Sequence, residues 1–161
     1  MKRSLTVALP LTAAVAVALA GPAAAKGPTG VTITGPGLAE PIVLRGNAEG
    51  SVTSRIGRIV QFGGWFPQAF GQIPDSTTRQ APTRKLGPRY IAVWIVPVGD
   101  GRSVTIRQDL YPWATGGPVT HMRAGQRLFD AGTHGGWYRG PFALRTTLAA
   151  LGVPRPGARP A

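Results

Sequence analysis

The residue types able to do acid/base or metal chemistry are sparse in this chain. His121 and His134 are its two histidines, and pairing either with Asp109 or Asp130 gives an incomplete metal or general acid/base set. No His-x-x-x-His or comparable ligand spacing accompanies them. Ser51, Ser54, Ser76 and Ser103 lack a Gly-x-Ser-x-Gly elbow. The 6 acidic residues stand singly, with no pair placed for glycoside hydrolysis. Cysteine is absent, which excludes thiol redox, disulfide and cysteine-metal roles. The expectation is no metal and no cofactor, with enzymatic chemistry second to binding.

Two other groups point to binding. Arg79, Arg84, Lys85 and Arg89 concentrate positive charge with only Asp75 nearby. Guanidinium groups bind phosphate or carboxylate bidentately, so this cluster is a candidate anion site for wall polymer or lipid headgroups. The same run also reads as an ordinary solvated basic loop. Tyr111, Trp113, Trp137 and Tyr138 lie beside Gly116-Gly117-Pro118 and Gly135-Gly136. Rings in such a setting can form an aromatic ligand surface for a sugar, or can simply supply buried area to a core.

These groups must be positioned by a small α+β domain. Val31 to Thr34 alternates at period two, Pro36-Gly37 supplies a turn, and Ile42 to Arg45 follows, which predicts an antiparallel pair. Val52, Ile56, Ile59, Val60 and Gly63 have helical spacing, predicting a helix capped by Ser51 and ended by Gly63-Gly64 and Pro67. Gly71 to Arg89 reads as a long loop.

Tyr90 to Val96 is the strongest strand signal, and Gly99-Asp100-Gly101 turns it into Val104 to Ile106 and on toward Leu110. This is a central hairpin. Its continuous apolar first strand implies cover on both faces, or a face shared with a partner, while Ser103, Thr105 and Arg107 face water. Val119 to Met122 reads as another strand. Pro141 opens a last helix carrying Leu144, Leu148 and Leu151, stopped by Gly152 and Pro154. The predicted fold is thus a small antiparallel sheet with a central hairpin, packed by about two helices in a single domain over 26–154, with a Pro/Arg-rich tail over 155–161.

Met1-Lys2-Arg3, an apolar run from Leu5 to Ala20, and Gly21-Pro22-Ala23-Ala24-Ala25 read as a secretory signal over 1–25, cleaved after Ala25. The run is too short to anchor the chain in a bilayer. Of 18 basic residues, Lys2 and Arg3 fall in this leader, leaving 16 against 6 acidic ones and a net charge of +10 on the mature chain. Such a surface is drawn to polyanions. The absence of a recognisable binding module argues against specific nucleic-acid recognition.

The ordered set Thr32-Ile33-Thr34-Gly35-Pro36-Gly37-Leu38, Leu110-Tyr111-Pro112-Trp113-Ala114, Gly117-Pro118-Val119, Gly136-Trp137-Tyr138 and Leu148 to Pro154 resembles small secreted proteins of actinobacteria that carry no established activity. The resemblance implies an exported single domain and brings no catalytic residues with it. The functional expectation is a secreted or cell-wall-associated non-enzymatic protein held by anionic envelope polymers. The alternatives are an envelope-modifying enzyme, for which His121, His134, Asp109 and Asp130 are the residues to substitute, and a homo-oligomeric extracellular structural protein.

Overall fold

A computed structural model describes residues 27–46 and 52–157. The expected leader, the Ser51 cap and the end of the tail lie outside the described residues. Strands β1 (Gly30–Thr34) and β2 (Ile42–Arg45) pair antiparallel as the alternating pattern requires. Strands β4 (Tyr90–Gly99) and β5 (Arg102–Tyr111) form the expected hairpin. Their turn residues Asp100 (φ 51) and Gly101 (φ 70) are both left-handed, the geometry that matches strand twist in a two-residue hairpin.

The sheet is larger than the sequence suggests. It also takes in β3 (Thr77–Thr78), β6 (Val119–Met122) and β9 (Gly136–Arg139), giving 7 strands in the order β2-β1-β4-β5-β6-β9-β3. Every pairing is antiparallel. The short pair β7 (Arg127–Leu128) and β8 (Ala131–Gly132) stands apart as a second ladder.

There are three helices rather than two among the described residues: α1 (Arg55–Phe62), α2 (Trp65–Phe70) and α3 (Phe142–Ala150). The cap of α1 is Ser54, extended at φ -86 and ψ 151, whose hydroxyl accepts the Gly57 N–H at 3.0 Å. Val52 therefore precedes the helix and is exposed, while Ile56, Ile59 and Val60 are buried as their spacing predicts. Gly63-Gly64 does end α1, but Pro67 ends nothing. It occupies the first turn of α2, where its missing N–H has no helical acceptor to lose. The helix α3 begins after Pro141 and buries Leu144 and Leu148.

The stretch Gly71 to Arg89, expected as loop throughout, holds one edge strand. Asp75 Oδ1 accepts the backbone N–H and the hydroxyl of Thr77, both at 2.8 Å, and so turns the chain into β3 against β9.

The core lies between the helices and one sheet face. Tyr90, Ala92, Trp94 and Val96 of β4 join Val31, Ile33, Ile106, Leu110 and Met122 beneath Ile59, Trp65, Leu144 and Leu148. Ile91, Val93 and Ile95 are only half-buried on the opposite face. The expected helix cover on both sides of β4 is thus not found among the described residues: the three helices pack on one face and leave the other bare of helices, with loop residues alone reaching it.

Trp94, Gln108, Gln68 and Thr120 are joined into one buried network, while the Trp65 indole N–H is buried without a partner. Trp94 Nε1 donates to Gln108 Oε1 at 3.0 Å, and Gln108 Nε2 donates to Gly63 O at 2.8 Å and to Gln68 Oε1. Thr120 Oγ1 donates to Gly63 O at 2.8 Å, and Gln68 Nε2 donates to Gly136 O at 2.7 Å. Buried polar groups are tolerated when paired in this way. The result pins the α1–α2 corner to β4, β5, β6 and β9.

Candidate functional site

Strand alternation decides what the bare face carries. Ile91 pairs with Asp109, Asp109 with His121, and His121 with Trp137, so these four share one row across the sheet. Tyr111, Val119 and Arg139 form the next row. Two residues back along β5 from Asp109, Arg107 points the same way. The chain thereby places aromatic, acidic and basic groups from β5, β6 and β9 on one sheet face, where Arg107 and Arg139 are exposed, the rings are half-buried and Val119 is buried.

The rings are in contact. His121 and Trp137 have centroids 4.4 Å apart at an interplanar angle of 33°. Tyr111 stacks on Trp137 from 5.8 Å at 29°. Asp109 lies between two guanidinium groups: Arg89 Nη1 is 3.8 Å from its Oδ2 and Arg107 Nε is 3.5 Å from its Oδ1. Both arginines are half exposed, whereas the carboxylate is mostly covered, so the charge pairing is worth more than at a fully wet surface.

Burial and the neighbouring Asp109 charge raise the Tyr111 phenol above its ordinary value, with Arg89 pulling the other way. Burial lowers the His121 pKa below 6.5, and Asp109 opposes this only in part. At neutral pH His121 is therefore a neutral ring within the stack.

A pH dependence of stability follows from the direction of that shift. A histidine whose folded pKa is depressed binds fewer protons than its unfolded form. Its contribution is intact above the ordinary value of 6.5 and is lost as pH falls through the window below it. We expect urea midpoints to decline from pH 7.5 to pH 5 in the wild type and to decline less in His121→Gln. Identical slopes in the two proteins would remove His121 from the acid response.

The histidines and acids expected to make one set are placed apart. His121 neighbours Asp109, but His134 Nε2 lies 3.0 Å from Asp75 Oδ2 on the loop before β3. Hydrogen bonds from Thr77, together with His134, hold the Asp75 carboxyl below the usual range. Asp130 is exposed at the β7–β8 turn beside Arg102 and Arg127. Among the described residues no group of three or more His, Asp or Glu side chains is arranged to hold a metal ion, and no helix is long and apolar enough to cross a membrane.

The basic residues also separate. Arg89 faces Asp109 on the bare sheet, Arg84 Nη1 donates to Thr115 O at 3.2 Å, and Arg79 and Lys85 are exposed. The aromatic set divides by the same alternation. Tyr111 and Trp137 lie on the bare face, while Tyr138 turns to the helix side against Gly64. Trp113 packs half-buried against the core, with the Arg145 guanidinium 5.5 Å from its ring.

Arg107, Arg123 and Arg139 are added to the surface by the structure. The signal that could have found Arg107 is its place in the alternating strand with Asp109. Arg123 and Arg139 depend on the pairing of β6 with β5 and β9, which no local pattern announces.

No protein-family model, curated protein or solved structure matches the chain.

Proposed function

We propose that the protein is an exported, envelope-associated binding protein without catalytic activity, and that its working surface is the bare sheet face. The observation that carries this reading is the Tyr111–Trp137–His121 ring contact set among Arg89, Arg107 and Arg139 on a face the helices leave uncovered. Flat rings recognise the apolar faces of sugars, and arginines recognise their acid substituents. The net charge of +10 on the mature chain, 16 basic against 6 acidic residues, supports attraction to anionic envelope polymers.

The test is sedimentation of the mature chain with isolated Gram-positive cell walls, before and after anionic polymers are stripped. Retention should fall on stripping, and Trp137→Ala should lower it about tenfold, as expected for loss of one stacking platform. Equal retention of wild type and Trp137→Ala on native walls would remove the bare face from the account.

One observation favours a second reading. His121 lies directly across the ladder from Asp109 in an open cleft, an imidazole–carboxylate neighbourhood able to support proton transfer. Turnover of wall-derived saccharide that disappears in His121→Gln would establish it.

A further inference from the structure

Two clefts open on the bare face, and they meet at the His121–Trp137 contact. The first, about 390 Å³, is lined by Arg107, Asp109, His121, Arg123 and Gln126. The second, about 180 Å³, includes Val119, Trp137, Arg139 and Arg84. One ring pair, with centroids 4.4 Å apart, therefore separates two basic depressions.

The first cleft is built rather than incidental. Gln126 Oε1 accepts the Arg107 N–H at 2.8 Å, and its Nε2 donates to Arg107 O at 2.8 Å and to Arg123 O at 3.2 Å. Its amide is thus consumed in clamping the backbone on which both arginines are mounted. Asp109 is the single carboxylate lining it, so Arg123 brings a guanidinium in excess of what Asp109 can neutralise. Like charges held together in this way are unfavourable until an anion enters between them. In the second cleft Arg84 is partly used by Thr115, while Arg139 is exposed and no acid lines the wall.

From this we infer, resting on the binding role proposed above, that the ligand is a chain of saccharide rings bearing anionic groups, and that it crosses the sheet with one ring over Trp137 and an acid group in each cleft. A single acidic sugar can use the platform and one cleft at a time. A longer chain engages both, and the second contact is then intramolecular, which multiplies affinity without any new kind of interaction. The forked guanidinium fits carboxylate and phosphate alike, so the shared chemistry is the repeated anion on a ring polymer.

The test measures binding of the mature chain to galacturonic acid and its trimer, and in parallel to a hexose phosphate and a phosphodiester-linked hexose trimer. We expect either trimer to bind at least tenfold more tightly than its monomer, and the arm that shows this names the anion. The exposed substitutions Arg123→Gln and Arg139→Gln should each remove most of the trimer's advantage. Trp137→Ala should weaken monomer and trimer together, and Tyr111→Leu gives the same information if Trp137→Ala fails to fold. Equal affinity for monomer and trimer, both lost in Trp137→Ala, would overturn the two-cleft chain and leave the platform standing. Trimer binding that survives both Trp137→Ala and Tyr111→Leu would overturn the platform as well. Matching affinity for inorganic polyphosphate, which has no rings, would reduce the surface to nonspecific charge.

Discussion

Replacing Gln108 with leucine should lower stability by about 2–4 kcal/mol, the cost of stranding buried polar groups rather than of losing one average hydrogen bond. Gln108 is fully buried and serves three partners: the Trp94 indole N–H, the Gly63 carbonyl and the Gln68 side chain. Leucine has similar bulk, so little cavity forms and the penalty isolates the polar term. Thr120 keeps Gly63 O paired after the change, but Trp94 Nε1 is left with no acceptor among its present neighbours. Urea unfolding followed by tryptophan fluorescence measures the effect, with Trp94 itself reporting the lost bond. A cost below about 1 kcal/mol would mean that the network is dispensable to the fold.

Gly64→Ala should cost about 2–4 kcal/mol, from left-handed strain and from overpacking together. Gly64 has φ 64, and a Cβ there would stand 2.3 Å from Cγ of the Tyr138 ring. The glycine is what lets Tyr138 cross the corner between α1 and α2. The two causes separate in a double-mutant cycle. With Tyr138→Ala in place the clash is gone, and the Gly64→Ala penalty should shrink to the backbone strain alone, about 1–2 kcal/mol. Strict additivity of the two substitutions would show that the ring is not what confines Gly64.

The hairpin β4–β5, the pair β1–β2 and the apolar spacing of α1 and α3 were legible because each is a local pattern: period two, period 3.6, or an Asp-Gly turn. What escaped is short or non-local. β3 has two residues and is held by an Asp75 turn and by distant β9. β9 carries Gly-Trp-Tyr-Arg, which has no alternation of apolar and polar types to read. Pro67 looked like a helix end because its harmless place in a first turn depends on where the helix begins.

Missing β9 also hid the site. Consecutive strand residues point to opposite faces, so the Trp137 and Tyr138 rings project to different sides of the sheet. Nor could spacing show that His121 would meet Asp109 and Trp137, because that depends on the registers of β5, β6 and β9. The sequence offers Asp109 as a partner for His121 and groups Tyr111 with Trp137; that these two groups meet on one face depends on strand register and is not legible.

The strand order also has a consequence in time. β4 and β5 are joined by Asp100 and Gly101 alone, whereas β1 reaches β4 only across both α1 and α2, and Thr77 meets Tyr138 across more than half of the remaining chain. Closing a long loop costs entropy before any contact repays it. By that argument we expect the central hairpin to form first, with β6 and β9 added over short connections, ahead of the long closures that dock β1 and β3. Trp137 and Arg139 therefore join the sheet early, while the wall of the second cleft that Thr78 and Arg84 supply closes only when β3 docks, so an incompletely folded chain has the rings and the charge but one cleft fewer.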